Sequence, residues 1–104
     1  MNEYKVSVII PTYNRSALLQ NTLNSLCNQT LSLNEFEVIV VDDGSNDLTY
    51  NVIKKYQNNL NLKYIFKKHD GFGVANSRNM GVDLSRGEIV IFLDCGMLCS
   101  RNYV

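Results

Sequence analysis

The sequence is poor in several features that mark specialised classes of protein. It has no tryptophan, one proline and six glycines among 104 residues, and no excess charge of either sign. The low proline and glycine content, together with 45% hydrophobic residues, argues against disordered, collagen-like and low-complexity sequence. Ten basic residues balance ten acidic ones, and no run of Lys and Arg is longer than two. The chain therefore lacks the basic field that DNA or RNA binding requires, and its length predicts one globular domain.

Long hydrophobic runs and a disulfide framework are absent as well. The longest apolar run, Ile89 to Leu93, has five residues, whereas a membrane-spanning helix needs about 18. The segment Met1 to Lys5 does not form a signal peptide. The cysteines are odd in number and form no Cys-x-x-Cys pair; they are Cys27, Cys95 and Cys99. These observations predict a reduced, cytoplasmic chain without a membrane span in this segment.

Four strand-like hydrophobic runs alternate with three amphipathic segments. The predicted strands are Val6 to Ile10, Phe36 to Val41, Leu62 to Phe66 and Glu88 to Leu93. The predicted helices are Ser16 to about Gln29, Asp47 to Tyr56 and Val74 to Leu84. Arg15 or Ser16 is expected to cap the start of the first helix, and Asp47 the start of the second. Gly87 is expected to end the third helix. The alternation predicts right-handed crossovers and a mainly parallel sheet with helices on both faces, which is a three-layer α/β/α sandwich.

Polar and glycine-containing segments follow each predicted strand. They are Pro11 to Arg15, Asp42 to Asp47, Asp70 to Gly73 and Asp94 to Gly96. In a parallel sheet these four segments share one edge, and open α/β sheets bind ligands at the carboxyl ends of their strands. The competing interpretation is that loops between strands and helices are polar in any protein.

The adjacent carboxylates Asp42 and Asp43 end the second predicted strand. Because side chains alternate along a strand, we expect the two to point in different directions and to have different roles. One can accept a hydrogen bond from a ligand N–H or ribose hydroxyl, while the other caps a turn with Gly44 and Ser45. A purely structural turn is the alternative.

The later loops carry two further candidate groups. The segment Gly71 to Asn76 begins like a dinucleotide-binding fingerprint, but Asn76 stands where the third glycine belongs. A helix start and a guanidinium both favour phosphate, so Arg78 is either a phosphate-binding residue or a solvated side chain. Asp94 is either a ligand of Mg²⁺ or Mn²⁺ beside a diphosphate or a residue that caps a turn with Gly96.

Taken together, four segments resemble the nucleotide-binding half of family 2 glycosyltransferases. They are VSVIIPTYNR from Val6, VIVVDDGSND from Val38, GFGVANSRNMG from Gly71 and IFLDCG from Ile91. The resemblance implies a Rossmann-like GT-A fold with sheet order 3-2-1-4. It also implies a donor that is UDP-sugar or another nucleotide sugar, a divalent metal, and transfer with inversion to an acceptor hydroxyl in polysaccharide or glycan biosynthesis.

The same resemblance implies roles for particular residues. Tyr13 would pack on the nucleobase, Asp43 would accept hydrogen bonds from the base or ribose, and Asp94 would bind the metal. The full set of implied nucleotide-sugar-binding residues is Pro11, Thr12, Tyr13, Arg15, Asp43, Gly73, Arg78 and Asp94.

The sequence departs from the family pattern in two respects. Gly96 stands where the Asp-x-Asp metal motif has its second carboxylate. This difference favours an alternative function, a metal-independent or inactive nucleotide-sugar-binding module. The resemblance also covers only the donor-binding half, so we expect a fragment of a longer enzyme, without a catalytic residue in this segment. Its acceptor would be a glycan or a lipid-linked sugar, and the isolated fragment is expected to self-associate. A receiver-like signalling domain is disfavoured, because its paired acids would follow the first strand.

Overall fold

The computed structural model describes residues 3–68 and 73–98, and of residues 73–75 only the backbone. The elements are β1 (Tyr4–Thr12), α1 (Ser16–Leu26), β2 (Phe36–Asp42), α2 (Thr49–Tyr56), β3 (Leu62–Phe66), α3 (Gly73–Leu84) and β4 (Gly87–Phe92). All three strand pairings are parallel and the sheet order is β3-β2-β1-β4. The predicted order 3-2-1-4 is confirmed.

The helices cover both faces of the sheet. On one face α1 and α2 enclose the larger apolar cluster, in which Val8, Val38 and Leu23 are fully buried. On the other face α3 packs on β1 and β2 around Ile9, Ile39 and Val41. Because β2 lies inside the sheet and between the two helix layers, all seven of its residues are buried. This burial explains the nearly continuous apolar sequence of β2.

The strand β1 continues through Pro11 to Thr12, two residues beyond the predicted end. The carbonyl of Ile9 accepts the N–H of Leu93 in the loop after β4. Backbone polar groups of alternate residues point to the same side of a strand, so the backbone nitrogen of Pro11 also points toward β4. Pro11 has no N–H to donate, and the pairing of β1 with β4 ends at Ile9 and Phe92. Pairing with β2 continues to Thr12 and Asp42. The proline therefore separates β1 from β4 at the carboxyl edge without shortening β1.

Several predicted element boundaries differ from the structure. The helix α1 ends at Leu26 rather than near Gln29, and α2 begins at Thr49 rather than Asp47. Gly87, predicted to end the third helix, is instead the first residue of β4. A side chain at Gly87 would place its Cβ 2.6 Å from the backbone nitrogen of Ser7. Close approach of two strands, and not helix termination, is what requires glycine there.

The apolar run Ile89 to Leu93 is exposed or half-buried for most of its length. Ile89 is 59% exposed and Phe92 45% exposed, whereas Leu93 is buried. In the part of the chain that the structure describes, β4 pairs only with β1 and its outer edge is uncovered. Leu48 and Leu84, which lie within the predicted helices, are exposed as well. The side chains of Val74 and Ala75 lie outside the described part.

Candidate functional site

The loops that follow β1, β2 and β4 meet at the carboxyl edge of the sheet, where the sequence predicted a site. The N–H of Asp43 donates to the carbonyl of Thr12 over 2.9 Å. The hydroxyl of Thr12 contacts the sulfur of Cys95 at 3.5 Å. Arg78 of α3 reaches Asp94 at 3.4 Å. The edge thus brings together residues that are far apart in the sequence. Gly73 begins α3 beside this edge, and residues 69–72 lie outside the described part.

The two adjacent carboxylates have different environments. Asp42 is buried, and its Oδ1 accepts the N–H and the hydroxyl of Ser45 at 2.9 and 2.5 Å. Its Oδ2 accepts the hydroxyl of Tyr64 at 2.5 Å. Burial of Tyr64 and this bond to a carboxylate raise the pKa of the phenol, which stays protonated and donates. Gly44, with φ of 87°, forms the turn. Asp42 is therefore the carboxylate that caps the turn.

Asp43 forms an ion pair that the sequence analysis missed. Its Oδ1 lies 2.6 Å from Nζ of Lys67, and the two side chains are 8% and 10% exposed. Lys67 follows directly after β3, and its N–H donates to the carbonyl of Asp42. Because β2 and β3 are parallel neighbours, the residues that follow the two strands lie close together. The predicted strand order is therefore the signal from which this ion pair could have been found.

The first two loops are tied to each other through Asn14. Its N–H donates to the hydroxyl oxygen of Ser45 at 2.8 Å, and its Oδ1 accepts the N–H of Asn46 at 2.9 Å. Asn14 has φ of 49°, a left-handed conformation that asparagine tolerates better than most residues. These contacts fix the position of Tyr13, which precedes Asn14, relative to the turn that begins at Asp43.

Asp47 bonds to the first residue of two helices, although Leu48, and not Asp47 as predicted, occupies the N-cap position of α2. Its Oδ2 accepts the N–H of Ser16 at 3.2 Å, and its Oδ1 accepts the N–H and hydroxyl of Thr49 at 3.0 and 2.5 Å. Burial alone would raise the pKa of Asp47, but the bonds from Thr49 and Ser16 lower it. Arg15 occupies the N-cap position of α1 without a side-chain bond. The prediction that Arg15 or Ser16 caps α1 is therefore wrong, and Asp47 from the second loop supplies the cap.

The implied nucleotide-sugar-binding residues at the end of β1 and in the loop after it differ in accessibility. Pro11 is buried within β1, and Thr12 is buried with its hydroxyl directed to Cys95. Tyr13 is 40% exposed and Arg15 is exposed. A ligand at this edge can therefore reach the ring of Tyr13 and the guanidinium of Arg15, while Pro11 and Thr12 support the loop from beneath.

Arg78 and Asp94 lie at the part of the carboxyl edge that α3 and the loop after β4 form. The guanidinium of Arg78 lies 5.6 Å from the ring centre of Phe92, and the Asp94 side chain is 72% exposed. Gly96 has φ of 103° and donates its N–H to the hydroxyl of Thr22 at 2.8 Å. An aspartate with this backbone conformation would be strained, so the loop geometry agrees with the absence of a second carboxylate.

The described residues could bind a divalent cation through one protein ligand, the carboxylate of Asp94. Within residues 3–68 and 73–98 there is no group of three or more His, Cys, Asp and Glu side chains that could hold a metal. Asp94 is an exposed carboxylate, and Mg²⁺ is commonly bound by one or two carboxylates together with phosphate oxygens of a substrate. Oδ1 of this carboxylate lies 3.4 Å from Nη2 of Arg78.

Comparison with known proteins identifies the family. The family model described as Glycosyl transferase family 2 matches residues 7–104, and the chain belongs to this family. The predicted family and GT-A fold are confirmed. The chain is 48% identical over 99 residues to validoxylamine A glucosyltransferase of Streptomyces hygroscopicus subsp. jinggangensis (strain 5008), covering 95% of this chain and 24% of that enzyme. The chain thus spans about a quarter of the length of this relative.

Solved structures agree with this assignment. A crystal structure of S. aureus TarS in complex with UDP matches with a TM-score of 0.90 and 40% identity, over 94% of this chain and 29% of that chain. The mannosyltransferase PcManGT from Pyrobaculum calidifontis, in complex with GDP-Man and Mn²⁺, matches with a TM-score of 0.82 and 30% identity over 90% and 28%. In the part of this chain that the structure describes, no helix combines the length and apolar character needed to span a membrane.

Proposed function

We propose that this chain is the nucleotide-sugar-binding part of an inverting glycosyltransferase that acts in polysaccharide or glycan biosynthesis. The enzyme would transfer a sugar from a nucleotide diphosphate sugar, UDP-sugar in the first instance, to an acceptor hydroxyl on a glycan or a lipid-linked sugar. The observation that carries the proposal is the position of Tyr13, Asp43, Arg78 and Asp94 on one carboxyl edge. Family membership and the UDP complex of TarS support it.

The nucleoside would bind between the first two loops. The exposed ring of Tyr13 would stack on the base, and Asp43 would accept a hydrogen bond from a base N–H or a ribose hydroxyl. The bonds of Asn14 with Ser45 and Asn46 hold these two groups at a fixed separation. A site that is already ordered loses less entropy when the nucleotide binds.

The diphosphate would lie toward α3 and the loop after β4. Arg78 would donate to phosphate oxygens, and Asp94 would hold Mg²⁺ or Mn²⁺. When bound, such a metal stabilises the negative charge that develops on the departing diphosphate. The acceptor and the group that deprotonates it are not assigned to any residue of this segment, so the described residues account for donor binding only.

Isothermal titration calorimetry with UDP, with and without Mn²⁺, tests the proposal. Asp43→Asn is expected to weaken UDP binding at least about tenfold, a change of about 1.4 kcal/mol. Asp94→Ala is expected to remove the increase in affinity that Mn²⁺ gives to the unaltered chain. Asp83→Ala, an exposed aspartate on α3, is the matched control and should bind like the unaltered chain. Equal binding by Asp43→Asn and the unaltered chain would remove the assignment.

A metal-independent or inactive nucleotide-sugar-binding module is the second candidate. It is favoured by the backbone conformation of Gly96 and by the contact of Arg78 with Asp94. In the same titrations this candidate predicts equal UDP affinity with and without Mn²⁺. A Mn²⁺-dependent gain that Asp94→Ala abolishes would exclude it.

Location and self-association are further parts of the proposal. Cys27 and Cys95 are free thiols among the described residues, which supports a reducing, cytoplasmic location. Exposed apolar side chains at and after β4, namely Ile89, Phe92, Met97 and Leu98, support self-association of the isolated chain.

A further inference from the structure

The ion pair between Lys67 and Asp43 lies inside the proposed donor site. The pair joins the ends of β2 and β3, its N–O distance is 2.6 Å, and both side chains are about nine-tenths buried. The neighbouring lysine, Lys68, is exposed. Of these two adjacent cations, the fold therefore directs Lys67 to the carboxylate that we place against the nucleoside.

Charge balance gives this pair a role beyond stability. A nearly buried carboxylate without a cation would repel the diphosphate of the donor across a region of low dielectric constant. The ion pair with Nζ of Lys67 offsets the charge of Asp43 and restricts the orientation of its carboxylate. The backbone bond from Lys67 to Asp42 fixes the start of the lysine side chain at the same edge.

We propose that Lys67 is a positioning residue of the donor site, which holds Asp43 in the orientation that recognises the nucleoside of the donor. This inference rests on the proposed function. It assigns a role to a residue that lies outside the predicted set and acts through Asp43 rather than on the ligand itself.

Calorimetry with UDP separates this role from a direct or a merely structural one. Lys67→Met is expected to weaken UDP binding about tenfold, equivalent to about 1.4 kcal/mol. Lys67→Arg, which keeps the cation, should restore affinity to within about threefold of the unaltered chain. Lys68→Met is the matched control and should leave UDP affinity unchanged. In the background of Asp43→Asn, Lys67→Met should cause no further loss, since residues that act through one another are not additive.

The outcomes distinguish the two proposals. If the unaltered chain does not bind UDP, the proposed function fails. If it binds UDP and Lys67→Met binds equally well, the role of Lys67 fails alone. A loss from Lys67→Met that persists in the Asp43→Asn background, or that Lys67→Arg does not restore, also overturns it. Circular dichroism checks that each variant is folded. If Lys67→Met unfolds, Lys67→Gln, which keeps a donor toward Asp43 but lacks the charge, tests the role of Lys67 in its place. A Lys67→Gln variant with unchanged affinity would overturn the proposal.

Discussion

Replacement of Glu37 with alanine is expected to destabilise the fold by about 3 to 5 kcal/mol, the cost of removing one partner from a buried charge pair. Glu37 on β2 has no exposed surface. Its Oε2 accepts the hydroxyl of Ser7 at 2.6 Å and the N–H of Arg86 at 2.5 Å, and its Oε1 lies 2.9 Å from Nζ of Lys63. One carboxylate thus joins three strands and the turn before β4. Because domains are stable by about 5 to 15 kcal/mol, the variant should be close to unfolding.

The contribution of Glu37 should also depend on pH in a definite direction. Burial alone would raise the pKa of Glu37, but the bonds from Ser7, Arg86 and Lys63 lower it below its usual value. A carboxylate whose pKa is lower in the folded state stabilises the fold fully above its unfolded pKa. That stabilisation is lost as the pH falls through the folded pKa.

Urea denaturation of the unaltered chain and of Glu37→Gln, between neutral and acidic pH, measures this contribution. The glutamine variant should lose less stability on acidification than the unaltered chain, because its side chain does not titrate. Glu88→Gln, an exposed glutamate on β4, is the control and should stay within about 0.5 kcal/mol of the unaltered chain. Equal pH dependence in Glu37→Gln and the unaltered chain would contradict the account.

Replacement of Asp42 with alanine is expected to reduce both stability and nucleotide binding. Three donor bonds, from Ser45 N–H, Ser45 hydroxyl and Tyr64 hydroxyl, lose their acceptor. Each hydrogen bond to a charged group contributes about 1.5 to 3 kcal/mol. Since the three share one carboxylate and are not additive, we expect a total loss of about 3 kcal/mol.

Nucleotide binding should fall in the same variant because the turn after Asp42 carries Asp43 and contacts Asn14. UDP affinity is expected to decrease about tenfold, or about 1.4 kcal/mol, under conditions where the variant is still folded. Calorimetry measures the affinity and urea denaturation measures the stability, with Asp83→Ala as the control in both. A folded Asp42→Ala variant with unchanged UDP affinity would show that this network does not position the site.

The sequence allowed the sheet to be predicted because its signals are local and strong. The buried run from Phe36 to Val41 is covered on both faces and therefore has no polar alternation. The shared edge of the loops followed from parallel topology alone. The division of roles between Asp42 and Asp43 was also expected from the alternation of side chains along a strand. Which of the two caps the turn became clear only from the contacts of Asp42 with Ser45 and Tyr64.

The predictions that were wrong depended on partners distant in the sequence. Gly87 resembled a helix-ending residue, but the position of Ser7 across the sheet determines its role. Arg15 was adjacent to α1, yet the cap comes from Asp47, 31 residues away from Ser16. Lys67 was missed for the same reason, because its pairing with Asp43 exists only once β2 and β3 lie side by side. Local spacing does not encode such contacts.

The central claim is that the carboxyl edge of the sheet binds a nucleotide diphosphate. The most direct measurement is a titration of the isotope-labelled chain with UDP, followed by the backbone amide shifts in nuclear magnetic resonance spectra. The largest shift changes are expected on residues 12–15, 42–47 and 94–96 and on Arg78. Changes concentrated instead at the opposite edge of the sheet, around Tyr4 and Gly87, would contradict the claim.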